Sequence, residues 1–230
     1  MSDVFEKQYN KTAQEFHESY LNKEAHQSTE AFFDVISKGI ISNITNKNVL
    51  DLGCGAADDA AFYTKKGFTY YGLDVSKEMC NLAQKNKHVA EVRNESFSRH
   101  VSYEAGKFGL VVSKYAMQTS KDIAPIYSEV FRMLDVNGYF IFLVVHPFRQ
   151  FLEKKKERKD YYKKELIESV IFSGKITVIE PSHTLSEYIN KDFLLKFSLV
   201  DIREGSDFPS SEQIGGGMYP TYLIIVARKK

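Results

Sequence analysis

Apolar positions recur at helical spacing in the first fifth of this chain and in short blocks after it. Phe5, Tyr9, Ala13, Phe16 and Tyr20 recur every three or four residues, which predicts an amphipathic helix over residues 3–22. A second helix is predicted over 24–44, with Phe32, Phe33, Val35, Ile36, Ile40 and Ile44 as its apolar positions. From residue 48 the period changes. "NVLDLG" (48–53) reads as a strand, 56–66 as a helix stopped at Gly67, and "TYYGLDV" (69–75) as the next strand. A helix then starts after Ser76, a residue type suited to an N-cap. "AEVRNES" (90–96) and "FGLVVS" (108–113) read as strands. Residues 122–134 form a helix with Ile123, Ile126, Tyr127, Val130, Phe131 and Leu134 on one face; Gly138 ends that unit and "YFIFLVV" (139–145) is a buried strand.

Strand–helix alternation of this kind predicts an α/β, Rossmann-like doubly wound sheet, mostly parallel, with ligands bound at the carboxyl ends of the strands. After residue 145 the alternation stops. "SVIFSGKITVI" (169–179) reads as a β-hairpin turning at Ser173-Gly174, and "TLSEYINKDF" (184–193) as a short helix. "FSLVDIRE" (197–204) and "TYLIIVAR" (221–228) have no helical crossover between them, so they are expected to pair antiparallel. Their connection holds Gly215, Gly216 and Gly217. The expected organisation is an N-terminal helical lid (1–45), a Rossmann-like core (46–145), a small α/β cap insertion that binds substrate (146–195), and a final antiparallel strand pair of the core (196–230).

Bulk properties narrow the function classes. Of 230 residues, 43% are hydrophobic and 27% charged, as in an ordinary globular protein. The net charge of +1 gives no global field toward nucleic acid or membrane. Two cysteines, Cys54 and Cys80, make neither a disulfide framework nor a CxxC pair. There is no signal-like apolar stretch at the N-terminus, and no apolar run reaches the ~18 residues of a membrane span, so a cytoplasmic location is expected. The run 151–165 carries seven basic and four acidic residues; it suits an acidic partner or, more simply, a solvated helix with i,i+4 pairs. Without aromatic–basic interleaving, nucleic acid is not an expected partner. No HxH, CxxC or HExxH spacing argues for a metal.

The turn after the first strand carries the chemistry. Gly53 and Gly55 allow a tight strand-to-helix connection and close approach of a ligand. A dinucleotide fingerprint needs a third glycine where Asp58 stands, and a phosphate loop needs GK followed by Ser or Thr; neither is present. Asp51 ends the first strand beside the turn, and Asp58 and Asp59 follow it. Two like charges at about 4 Å cost roughly 4 kcal/mol at an effective dielectric near 20, so a pyrophosphate is disfavoured there and a cation favoured. S-adenosylmethionine, with a sulfonium, an ammonium and no phosphate, fits that requirement. Asp74 ends the second strand, where a carboxylate can take both hydroxyls of a ribose.

"VLDLGCG" followed by "GLDVS" resembles the class I S-adenosylmethionine-dependent methyltransferases, and looks closest to their small-molecule branch of ubiquinone/menaquinone-biosynthesis type. The likeness covers roughly residues 5–145 and, more loosely, the last two strands. It implies that Asp51, Gly53, Cys54 and Gly55 hold the amino-acid end of the cofactor, that Asp74 takes the ribose, and that Val75 and Met79 pack near the adenine. "RNESF" matches the stretch that meets the adenine amino group, a role for Asn94, Glu95 or Ser96 in the absence of the usual Asp. "FGLVVSKYAMQ" matches the fourth-strand motif FD(L/V)V, with Gly109 in place of its acid and Ser113, Lys114 and Tyr115 toward the sulfonium. "YNKTAQEF" (9–16) resembles the segment YDxxAxxY that folds over the cofactor, which brings in Tyr9.

Methyl transfer is an in-line displacement that asks the protein to align the acceptor and exclude water, with a base where the acceptor atom is protonated. His146, directly after the fifth strand, and His183, ahead of a helix in the cap, are the candidate bases. Each could instead be a histidine satisfied within the fold. His17 and Tyr20 join them as candidate acceptor contacts. The expected activity is methyl transfer from S-adenosylmethionine, giving S-adenosylhomocysteine, to O, N or C of a small molecule by a monomer or homodimer. The alternatives are a non-catalytic S-adenosylmethionine-binding regulator and an NAD-dependent oxidoreductase.

Overall fold

The computed structural model describes residues 2–21, 26–155, 160–172, 174–208 and 217–230. Ser173, Gly215, Gly216, the side chain of Phe5, residues 24 and 25 of the second helix and residues 156–159 of the charged run lie outside the described residues.

Seven strands form one sheet: β1 (Asn48–Leu52), β2 (Thr69–Asp74), β3 (Val89–Asn94), β4 (Phe108–Lys114), β5 (Leu134–Val145), β8 (Phe197–Gly205) and β9 (Tyr222–Lys229). The order across the sheet is β3-β2-β1-β4-β5-β9-β8. β1 to β5 run parallel, and β9 is antiparallel to both β5 and β8. The strand order reverses between β1 and β4, so a crevice opens at their carboxyl ends. Alternation along the strands feeds two cores. Phe140, Phe142 and Val144 of β5, with Leu223, Ile225 and Ala227 of β9, pack against α5 (Ala124–Met133) and α8 (Lys191–Lys196). Tyr139, Ile141 and Leu143, with Ile224 and Val226, face α2 (Gln27–Asp34) and α3 (Ala60–Lys65). A second, two-stranded sheet, β6 (Leu166–Ile171) and β7 (Ile176–Pro181), is the expected hairpin. Among the described residues no helix is long and apolar enough to cross a membrane.

Several elements depart from the sequence expectation. The second helix is α-helical only to Asp34, continues as a π-helical turn over Val35–Ile40, and tightens to 3-10 over Ile41–Asn43. Its buried Ile36, Ile40 and Ile44 are four residues apart. Four-residue steps drift around a helix of 3.6 residues per turn, and the wider turn holds them on the core side. The helix expected from residue 56 starts only at Ala60, because Ala57 adopts a left-handed φ of 59°. β5 begins at Leu134 rather than after Gly138. The charged run is not a solvated helix: Gln150–Lys154 is a π-helical turn, and residues 160–165 are not helical. Lys155 is buried, its ammonium donating to the carbonyls of Asp160, Tyr161 and Lys163. The short helix after the hairpin is two, α7 (Leu185–Tyr188) and α8, parted at Asn190.

Candidate functional site

Asp51 is the penultimate residue of β1, with only 5% of its surface exposed, and accepts a 2.7 Å hydrogen bond from the hydroxyl of Tyr70 on the neighbouring β2. Burial pushes its carboxyl up to about 7, helped by the charge of Asp59 and opposed by Tyr70 and Lys114. Gly53 follows at φ 72°; a Cβ there would lie 2.3 Å from that of Ala116 on the turn after β4. Only glycine lets the two turns touch. The backbone N–H groups of Gly53 and Cys54 both donate to the carbonyl of Leu73, at 2.8 and 3.0 Å, which fixes the turn on the end of β2.

Asp74 holds the same turn from the other side. Its carboxylate accepts from Gly55 N–H at 2.9 Å and from Ser76 N–H at 2.8 Å. Burial raises its pKa against the pull of these backbone donors. Ser76 caps α4 (Lys77–Ala83) through Met79 N–H, as expected, and Met79 is buried beside Gly55. Beyond Asp74, Val75, Asn94, Glu95 and Ser96 line an open cavity of about 310 Å³ with Glu6, Arg99 and His100. Asn94 donates to the carbonyls of Asp74 and Val75 at 3.0 and 2.9 Å. Glu95 is taken up by the backbone N–H and hydroxyl of Ser102. A second open cavity, about 620 Å³ between α2 and Phe62, lies away from these residues.

The acids after the glycines have protein partners. α1 (Ser2–Leu21) crosses this end of the sheet: His17 Nδ1 lies 2.8 Å from Asp58 Oδ1, and Tyr20 donates to Asp59. Lys114, at the end of β4, pairs with Asp59, donates to Tyr20, and lies over the rings of Tyr20 and Phe33. Lys114, His17 and Tyr20 therefore join α1 to the turn. α1 is tied further along by Asn10, whose side-chain oxygen accepts from Ser76 Oγ at 2.8 Å, and by Gln8, which accepts from Ile179 N–H at 2.7 Å. Tyr9, between them in the chain, is half-buried, its hydroxyl pKa raised by burial and by the charges of Glu180 and Asp74.

Ser113 and Tyr115, at and just after the end of β4, have partners within the protein. Ser113 is fully buried, bonding to Leu52 O and accepting from Met117 N–H. Tyr115 has a left-handed φ of 56° and its hydroxyl reaches Asp207 at 3.4 Å. Gly109 stands where the motif has an acid because the Asn46 carbonyl lies 2.0 Å from where a Cβ would be. The Cys54 thiol is pushed well up by burial, which suits a small filler and not a nucleophile.

Neither candidate base has a ring nitrogen to spare. His146 is 1% exposed; its Nδ1 accepts from Phe148 N–H, capping α6 (Pro147–Arg149), and its Nε2 meets Glu204 at 2.7 Å. Burial lowers its pKa, against the pull of Glu204. His183 lies between Glu187, 2.8 Å from Nδ1, and the Gln118 carbonyl, 2.9 Å from Nε2. Both histidines organise the cap in this geometry. Sequence reasoning missed Tyr70, Asn10 and the buried pair Gln118–Glu180, joined at 2.7 Å. Only Asn10 had a signal, its place inside the "YNKTAQEF" motif.

Residues 50–142 match a family described as a methyltransferase domain. The candidate methyltransferase YqeM of Bacillus subtilis (strain 168) is 28% identical over 128 residues, 53% of this chain and 52% of that protein. The chain thus spans about half the length of the curated relatives it matches. Among solved structures, an S-adenosylmethionine-dependent methyltransferase from Mesorhizobium loti superposes with a TM-score of 0.67 at 17% identity, covering 87% of this chain and 97% of that one. This is the class I S-adenosylmethionine-dependent methyltransferase fold. The 1,6-didemethyltoxoflavin-N1-methyltransferase of Burkholderia thailandensis shares the methyltransferase fold over 99% of this chain and 88% of its own, with a TM-score of 0.64 and 15% identity. The residues at the crevice between β1 and β4 have the chemistry to suit S-adenosylmethionine. Asp51 is a buried carboxylate that a cation would stabilise, Asp74 sits beside the turn, and the 310 Å³ cavity, lined by Val75 and Asn94, lies at the carboxyl ends of β2 and β3.

Proposed function

We propose that the protein transfers a methyl group from S-adenosylmethionine to a small-molecule acceptor. The observation that carries this reading is the pair of buried carboxylates, Asp51 and Asp74, flanking the Gly53–Gly55 turn at the ends of adjacent strands. A phosphate would be repelled by both, whereas an ammonium or sulfonium is attracted. Asp51 would hold the amino-acid end of the cofactor and Asp74 its ribose. Val75 and Met79 would flank the adenine. Asn94 is better suited than Glu95 to meet the adenine amino group, because its amide N–H is committed to two carbonyls and its oxygen is left, while Glu95 is committed to Ser102.

When bound, S-adenosylmethionine supplies an electrophilic methyl carried on a sulfonium. The protein's part is alignment and the exclusion of water. α1 would act as the lid, held by Asn10 and Gln8 with Tyr9 between them, and residues 146–195 would provide the acceptor side. With the nitrogens of His146 and His183 engaged, positioning carries the rate rather than proton removal by either. A small-molecule acceptor is supported by the similarly folded Burkholderia thailandensis enzyme, whose structure holds 1,6-didemethyltoxoflavin together with S-adenosylhomocysteine. The narrower likeness to quinone-biosynthesis enzymes rests on the sequence motifs alone.

Isothermal titration with S-adenosylmethionine, S-adenosylhomocysteine and NAD tests the reading. Binding of the first two and not of NAD is expected; binding of NAD alone would overturn it. Transfer is then read as S-adenosylhomocysteine formed across a panel of ring acceptors. Binding with no transfer to any of them would leave a regulator.

A further inference from the structure

Buried polar atoms are nearly always hydrogen-bonded, and an exception calls for a reason. Among the described residues, three such exceptions hang on one segment of the cap: Gln8 Nε2, Gln150 Nε2 and the Tyr188 hydroxyl. Gln8 Oε1 accepts from Ile179 N–H at 2.7 Å, and Gln150 Oε1 accepts from His183 N–H at 2.8 Å. Tyr188 packs on the His183 ring, centroids 5.3 Å apart. Turning either amide over would set its NH2 against a backbone N–H, so both nitrogens are fixed as donors by the bond the oxygen makes.

The segment that carries them is tied to a buried network that starts at the wall of the glycine turn, through His183 Nε2 at 2.9 Å from the Gln118 carbonyl. Ala116 abuts Gly53, and Gln118 lies two residues on, in the same turn after β4. Gln118 donates to Glu180 at 2.7 Å and accepts from Val145 N–H at 2.7 Å. Glu180, 2% exposed, also accepts from Ser169 at 2.6 Å, with Lys154 3.6 Å away. Gln150 and Tyr188 are themselves fully buried. Rings pack in two groups among these elements: Tyr9, Phe16 and Phe172 from α1 and the hairpin, and His183 with Tyr188.

We propose that Gln8, Gln150 and Tyr188 form the acceptor subsite, and that its ligand is a neutral, planar ring compound bearing carbonyl oxygens. The inference rests on the methyltransferase reading for the word acceptor, but not for the binding it describes. Three unspent donors call for lone pairs, which an apolar ring lacks. The carboxylates of Glu180 and Glu187 on the same segment disfavour an anion, so a carbonyl fits better than a carboxylate or phosphate. The flanking rings favour a flat molecule.

The test uses uracil, benzoate and toluene as probes, titrated by ligand-observed NMR against the protein with saturating S-adenosylhomocysteine. Gln150→Met and Tyr188→Phe each delete one donor at nearly constant shape. Uracil is expected to bind ahead of the other two, and each substitution to weaken it about tenfold. In the free protein the same substitutions are expected to raise Tm by a few degrees, because an unpaired buried donor is removed. A lower Tm in both would show that the donors have partners, such as buried water, and overturn the proposal. So would equal binding of toluene or benzoate, uracil binding indifferent to both substitutions, or no binding of any probe. If S-adenosylhomocysteine itself fails to bind, the methyltransferase reading falls, and the uracil titration on free protein still decides the subsite.

Discussion

Replacing Asp51 by Asn tests whether the fold carries a buried acid that waits for a cation. The side chain is nearly isosteric, and its oxygen can keep the hydrogen bond from Tyr70. In the folded protein the carboxyl is pushed up to about 7 from an ordinary 3.8. Between those values the folded state holds a proton that the unfolded chain has lost, so stability falls as pH rises from about 4 to about 7 and is flat above. At about 1.4 kcal/mol per tenfold in proton affinity, holding Asp51 ionised at pH 8 costs about 4 kcal/mol. Asn carries no such penalty. Its advantage over the native residue should therefore grow by about 2–3 kcal/mol between pH 5 and pH 8, which for a chain of this length is a difference in Tm of roughly 5–10 °C. Urea melts of both proteins at the two pH values measure it. Stability differences that stay constant with pH would mean that Asp51 is ionised throughout, and the reasoning would be refuted. The same substitution should weaken S-adenosylmethionine binding at pH 8, where the native carboxylate is charged.

Gly109→Ala should destabilise the fold by at least about 3 kcal/mol, since the added methyl would meet the Asn46 carbonyl 2.0 Å away; a urea midpoint near that of the native protein would contradict this. Asp74→Ala should weaken S-adenosylhomocysteine binding tenfold or more, about 1.4 kcal/mol, by isothermal titration. Lys114→Met breaks the pair with Asp59 and the bond to Tyr20, so amide exchange in α1 should quicken while β4 stays protected. His146→Ala should lower Tm, because the cap on α6 and the contact with Glu204 are both lost, while S-adenosylhomocysteine affinity holds; unchanged Tm would return His146 to the list of candidate bases.

Much of the sheet is readable from the chain, because period-two runs such as "YFIFLVV" feed both cores at once and leave one workable register. The glycine turn is readable for the same local reason. What stays hidden depends on partners far away in sequence. Asp58 and Asp59 look like ligand-facing acids until His17, Tyr20 and Lys114 arrive from α1 and β4. Gln118 and Glu180 are 62 residues apart, and no spacing rule joins them. The start of α3 is hidden because alanine, the best helix former, is used at residue 57 in a left-handed turn. His146 shows the limit of position alone: a strand-end histidine at a binding edge can be consumed by capping.

Lys114 answers the charge of Asp59 before anything binds, so this part of the entrance to the crevice carries paired charges that screen one another. A chain with a net charge of +1 and so balanced an entrance projects little potential into solvent. Ligand capture is then governed by ordinary collision, and added salt should change its rate little over the range where exposed charges are normally screened.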